Sequence, residues 1–287
     1  MSDGRVARLR QRAGRIGAVL RNAFASPGFR RFGPAFSRSY LRFAWSSALN
    51  WGDRGPGVLE WMGHRVRYSN RSSILFLVHE IFAHCAYDFT PARPDPLIVD
   101  CGANVGMAAL FFRLRFPGSR VVAVEPHPRA FRLLEENTGG DARIERIEAA
   151  LTEDGAPARL FAPSDDAASL ASSVIPGLMS GEAVEVAGIR LSELLARLDG
   201  GVDLLKLDVE GAEYGALRDC HRSGALARVR EVAVEYHRTP SEPGGPDALV
   251  EMLRDSGFGD ARVTEGISGV DGMIRARREV DGCRSRR

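Results

Sequence analysis

The 287-residue chain is almost without lysine: Lys206 is the single one, against 38 arginines. Coding in a GC-rich genome explains the depletion but not the place of the exception. Cysteine is sparse as well. Cys85, Cys101, Cys220 and Cys283 form no CxxC pair and no metal-ligand spacing, which argues against a disulfide framework or a zinc finger. A reducing compartment fits, and a cytoplasmic protein is expected. No apolar run approaches the roughly 20 residues of a membrane span. The stretch from Ile74 to Val78 is soon interrupted by His79 and Glu80. There is no G-x-G-x-x-G, no internal repeat and no low-complexity tract, so a dinucleotide-binding fold and a solenoid are both disfavoured.

What is present is an ordinary globular composition, 44% apolar and 26% charged, with the charge segregated. Residues 1–45 hold ten arginines and one acid, Asp3, a basic tail on a mildly acidic body. Val6, Leu9, Ala13, Ile16, Leu20 and Phe24 recur near helical spacing. This predicts an amphipathic helix that either docks on its own domain or a second copy of the chain, or lies on an anionic membrane surface. The apolar stretch Ile16 to Leu20 is too short for a signal peptide. The acidic body argues against a nucleic-acid partner.

Residues 1–70 read as an arginine-rich extension and residues 71–287 as the main domain. Within the extension, residues 26–57 read as irregular and Val58 to Tyr68 as a hairpin about Gly63. Ser72 or Ser73 is the expected cap of a helix running to about Tyr87. From Leu97 the pattern becomes regular. Strands are expected at Leu97 to Asp100, Val121 to Glu125, Arg143 to Ala149, Val202 to Leu207, Glu231 to Tyr236, Ala261 to Thr264 and Met273 to Ala276. Helical segments alternate with them, which means an α/β fold with a mostly parallel sheet covered on both faces. Residues 152–183 form a long insertion, part of which is expected to close over a substrate.

Ligands of open α/β sheets sit at the carboxyl ends of strands. Here those ends carry Asp100, Glu125, Asp208 and Glu235. After the first strand, Gly102 and Gly106 flank Ala103, Asn104 and Val105, permitting a tight turn and close backbone approach. Asn104 is bulky where a pyrophosphate needs bare backbone, and Asp100 would repel phosphates. The pattern suits a ligand with a cationic amino-acid end. Glu125 can accept hydrogen bonds from both hydroxyls of a ribose.

Four stretches then resemble the FkbM family of class I S-adenosylmethionine (SAM)-dependent methyltransferases. They are Val99 to Gly106, Val124 to Pro128, Leu205 to Glu213 and Val234 to His237. The likeness covers about Ile74 to Ala276. It implies a Rossmann-like class I methyltransferase sheet, mostly parallel with the last strand antiparallel, helices on both faces, and SAM as cofactor. By resemblance, Asp100, Gly102, Ala103, Asn104 and Gly106 hold the methionine part, Glu125 and Pro126 border the ribose, and Ala149, Ala150 or Leu151 lies against the adenine. The implied reaction is methylation of a hydroxyl on a small molecule or a glycan. Such an acceptor needs a base. Asp208, Glu210, Glu213, Glu235 and His237 are the candidates, with His237 first because its unperturbed pKa is about 6.5. Lys206 is expected to pair with Asp208 or Glu235, or to serve the chemistry directly. In an alternative, Asp208, Glu235 and His237 hold Mg²⁺, which prefers oxygen ligands. A non-catalytic binding or scaffold protein of the same fold is the second alternative.

Overall fold

The computed structural model describes residues 17, 19–49, 55–162, 182–242, 244–266 and 271–278. The chain divides into two compact units, Met1–Asp88 and Phe89–Arg287. The boundary drawn from the sequence at residue 70 falls inside the first unit.

In the first unit, residues 27–49 of the stretch 26–57 depart from the irregular reading. They contain helices α1 (Pro27–Phe32) and α2 (Pro34–Leu49). Pro27 stands at the start of α1, where its missing N–H is not needed, and the Ser26 hydroxyl accepts from the Phe29 N–H at 3.2 Å. Phe36, Tyr40 and Phe43, spaced at helical intervals on α2, are buried. Strands β1 (Gly57–Trp61) and β2 (His64–Tyr68) form the expected hairpin about Gly63. Trp61 packs edge-on against Phe36 and Phe82, with ring centroids 5.9 and 5.1 Å apart. Helix α3 (Arg71–Leu77) is capped by Asn70, whose Oδ1 accepts from the Ser72 and Ser73 N–H groups at 2.7 and 3.1 Å. The cap is therefore neither serine. The helix passes into a π-helical turn, Val78–Ala83. Most of the amphipathic segment Val6 to Phe24 lies outside the described residues. Residues 19–25 are helical, and Leu20 and Phe24 are exposed.

The second unit is the α/β domain. Its elements are β3 (Leu97–Cys101), α4 (Met107–Arg115), β4 (Arg120–Val124), α5 (Pro128–Thr138), β5 (Ile144–Ile147), β6 (Ala150–Leu151), β7 (Ala158–Ala162), β8 (Glu182–Val186), β9 (Gly188–Ile189), α6 (Leu191–Arg197), β10 (Val202–Leu207), α7 (Glu213–Ser223), β11 (Val229–His237), α8 (Gly245–Asp255), β12 (Phe258–Glu265) and β13 (Asp271–Arg278). Seven strands form one sheet in the order β12-β13-β11-β10-β3-β4-β5. Among them only β13 is reversed, pairing antiparallel with both β11 and β12. The insertion contributes β7 and the start of β8, an antiparallel pair. Its middle, 163–181, lies outside the described residues.

The chain order creates a switch point. β3, β4 and β5 step one way along the sheet, while β10 and β11 step the other way. Right-handed crossovers then place their helices on opposite faces. The buried sets agree. Leu97, Val99, Cys101, Leu205, Leu207, Val232 and Val234 join residues of α6, α7 and α8 in one apolar cluster. Alternation along the strands turns Asp100, Lys206, Ala233, Glu235 and His237 to the opposite face. The switch point lies between β3 and β10. Asp100 and Lys206 face each other across it in register.

Candidate active site

The turn after β3 is built for close approach. Gly102 has φ +79° and Gly106 φ +90°, which glycine adopts without strain. A Cβ at Gly102 would collide with the Asp208 carbonyl oxygen, and one at Gly106 would lie 2.9 Å from Leu134 Cδ1. Asn104, at φ +50°, is of a type that tolerates the left-handed region better than most residues other than glycine. The Gly102 and Ala103 N–H groups donate to the Val124 carbonyl at 2.9 and 3.0 Å, tying the turn to β4. Asn137 of α5 donates to the Val105 carbonyl at 2.8 Å. No motif announces Asn137, because its role depends on α5 folding back over the turn.

Glu125, just past β4, is buried and reaches the same turn. Its Oε2 accepts from the Asn104 N–H and its Oε1 from the His127 N–H, both at 2.8 Å. Burial raises its pKa, the two backbone N–H groups only partly oppose this, and the balance lies at about 7. Pro126 follows, and His127 caps α5 by accepting from the Arg129 N–H at 3.2 Å. Ala150 is buried but belongs to the β6–β9 pair, not to the central sheet.

Lys206 is 1% exposed. Its Nζ lies 3.0 Å from Asp100 Oδ1 and 3.5 Å from Asp208 Oδ2, and it donates to the Gly102 and Cys101 carbonyls at 3.1 and 3.4 Å. Asp208 is a partner expected from the sequence; Asp100, the nearer carboxylate, is not. Burial works against the ammonium, but Asp100 and Asp208 outweigh it and hold Lys206 in its charged form. Burial pushes the Asp100 carboxyl up, and Lys206 opposes it.

Beyond β10 the chain turns sharply. Glu210 takes φ +51°, a left-handed conformation that stores strain in a residue of its kind. Its Oε2 lies 3.2 Å from His237 Nε2, while His237 Nδ1 lies 3.0 Å from Glu213 Oε1. Glu213 is buried and also accepts from the Val209 N–H at 3.1 Å. His237 is thus clamped at both nitrogens. Burial alone would lower its pKa. The Glu213 hydrogen bond and the charges of Glu213, Glu210 and Asp208 win and raise it to about 10. Burial raises Glu210 to about 8, against the pull of His237. Asp208, Glu235 and His237 each offer a ligand atom, all within 4.8 Å of one another.

A sheet of this order with one reversed strand, and a glycine turn with buried carboxylates at its switch point, defines the Rossmann-like α/β methyltransferase class. Comparison with known proteins narrows the class. The family model for the methyltransferase FkbM domain matches residues 100–259, and the chain belongs to the FkbM methyltransferase family. It is 29% identical to the 31-O-demethyl-FK506 methyltransferase FkbM of Streptomyces tacrolimicus, over 68% of this chain and 86% of that one. It is 29% identical to methyltransferase sdnD of Sordaria araneosa, over 71% of this chain and 90% of the other. It is 31% identical to the AMB antimetabolite synthetase AmbE of Pseudomonas aeruginosa, over 68% of this chain but only 11% of the synthetase. Among the described residues, no helix is long and apolar enough to cross a membrane.

Proposed function

We propose that this methyltransferase uses SAM to methylate a hydroxyl group of a small molecule or sugar. The observation that carries the reading is the division of labour at the switch point. On the β3–β4 side, a glycine turn and a buried carboxylate, Glu125, suit a nucleoside joined to an amino acid. On the β10–β11 side, Asp208, Glu235 and His237 gather within 4.8 Å and Glu210 lies 3.2 Å from His237, a group suited to handling a proton. The relative from Streptomyces tacrolimicus, named for a substrate lacking an O-methyl group, supports an oxygen acceptor.

The sulfonium of SAM supplies an activated methyl group, so the residues must align the partners and remove one proton. Gly102 to Gly106 and Glu125 would hold the cofactor, with Pro126 and Ala150 bordering it. The acceptor oxygen approaches from the β11 side. Its proton leaves to the Glu210–His237 pair, whose orientation Glu213 sets through Nδ1. Because both members hold protons tightly, the rate rises with pH as the pair gives one up. We expect Glu210→Gln and His237→Asn each to lower kcat by about 10²–10⁴-fold with little change in S-adenosylhomocysteine (SAH) affinity. Full turnover in both variants would remove the pair from the chemistry. Calorimetric titration with SAM and SAH tests the cofactor itself: a chain that binds neither is a scaffold, not an enzyme. Transfer of labelled methyl to small-molecule and sugar hydroxyls, but not to matching amines, tests the acceptor class.

The close approach of Asp208, Glu235 and His237 favours a second reading. The two carboxylates offer oxygens of the kind Mg²⁺ prefers. His237 fits less well, because both its nitrogens already face carboxylates. Bound there, Mg²⁺ would lower the acceptor's pKa. Full methyl transfer in EDTA, unchanged by added Mg²⁺, would exclude this reading.

A further inference from the structure

A carboxylate at the end of β3 looks, from its position, like the group that receives a ligand's ammonium. In this chain Asp100 is wholly buried, and an ammonium of the protein's own already lies 3.0 Å from it. The register explains the match. Lys206 and Asp100 stand opposite each other across the switch point, with Ala233 beyond the lysine and Ala123 beyond the aspartate. Neither immediate neighbour of the pair in that row carries more than a methyl, so the Lys206 chain can extend along the sheet to the turn. There it meets two carboxylates and two carbonyls between 3.0 and 3.5 Å. One carbonyl belongs to Gly102, at the start of the glycine turn. An ammonium, a compact charge with three rotatable donors, can converge on such an arc. A guanidinium is planar and wider and cannot. That accounts for a lysine here in a chain that elsewhere uses only arginine.

Resting on the proposal that SAM is the cofactor, we infer that Lys206 is a positioning residue for the cofactor's amino-acid end. It fixes the Gly102 carbonyl and the Asp208 carboxylate as acceptors, and Asp100 serves as its counter-ion instead of touching the ligand. Asp208, whose side chain is 26% exposed against 0% for Asp100, is the carboxylate left facing the ligand. The adenosine end, held through Glu125, does not depend on Lys206.

Two probes separate the ends of the ligand. SAH carries the amino-acid end, and 5′-methylthioadenosine lacks it. Lys206→Met is expected to weaken SAH at least tenfold and 5′-methylthioadenosine less than twofold. Because this change strands a buried carboxylate, the neutral pair Asp100→Asn/Lys206→Met is measured beside it. It is expected to fold with a Tm near that of the parent and to show the same selective loss. Lys206→Arg is expected to fall between the parent and Lys206→Met. SAH affinity within twofold of the parent in Lys206→Met or in the neutral pair would overturn the inference, as would equal losses for both probes. Unfolding of both variants would make the lysine a folding element and overturn it too. A parent chain that binds neither probe would instead refute SAM as the cofactor, which is a distinguishable result.

Discussion

Glu125 shows how burial sets a residue's working range. With its carboxyl raised to about 7, it is ionised above that pH and protonated below. Only the carboxylate can accept from two ribose hydroxyls while also accepting from the Asn104 and His127 N–H groups. SAH affinity is therefore expected to fall as pH drops from 8 to 6, and Glu125→Gln should abolish that slope. Calorimetry at fixed ionic strength measures it, and a flat profile in the parent would remove Glu125 from the binding site. The candidacy of Glu125 was legible from its place at a strand end. Its pKa was not, because burial depends on α5 and the glycine turn packing over it. His237 makes the same point. Its residue type suggested a base near neutrality, but Glu213 and Glu210, brought against it by the turn at Gly211, change the proton it holds.

At the scale of elements, the site depends on how closely β3, β4 and β10 approach at their carboxyl ends. Gly102→Ala would force a Cβ into the Asp208 carbonyl and place alanine at φ +79°, a conformation costing about 1–3 kcal/mol before the collision is counted. SAH binding weakened by at least about tenfold (1.4 kcal/mol), with a lowered Tm, is the expected result of titration and thermal melting. Affinity equal to the parent's would mean that the turn does not shape cofactor binding. Most elements of the second unit were legible, since short continuous apolar runs bounded by turn residues mark strands buried on both faces, and amphipathic helices leave a period of 3.6 residues in the chain. The segment 26–57 was not, because Pro27 and Pro34 read as breakers where they begin helices. The Asn70 cap was missed for a related reason: Ser69, Asn70, Ser72 and Ser73 stand close together, and only the backbone selects one.

For the whole molecule, three raised groups act in the same direction. Glu125 moves from 4.5 to about 7, Glu210 from 4.5 to about 8, and His237 from 6.5 to about 10. Each binds its proton more tightly in the folded state. Its contribution to stability is complete below the unfolded value and is lost as pH rises through the folded one. Between pH 7 and 9 the folded state therefore holds more protons than the unfolded state, and the Tm should fall. His79 and His127, whose values are lowered, act below about 6.5 and leave that window undisturbed. Glu210→Gln should flatten the decline. A Tm that rises from pH 7 to 9 would contradict these assignments.

The sequence by itself determined the local chemistry: a glycine turn after an apolar strand, acids where strands end, and one ammonium kept among arginines. Those features follow from residue type and short-range spacing, which the chain carries wherever it folds. Only the tertiary structure decided the pairings. Strand order sets β10 beside β3, so Lys206 meets Asp100 and the Gly102 carbonyl; from its own strand it would have met only Asp208. The left-handed turn at Glu210 swings a carboxylate onto His237. Both outcomes depend on groups distant in sequence meeting where water is excluded, and there their charges set one another's protonation.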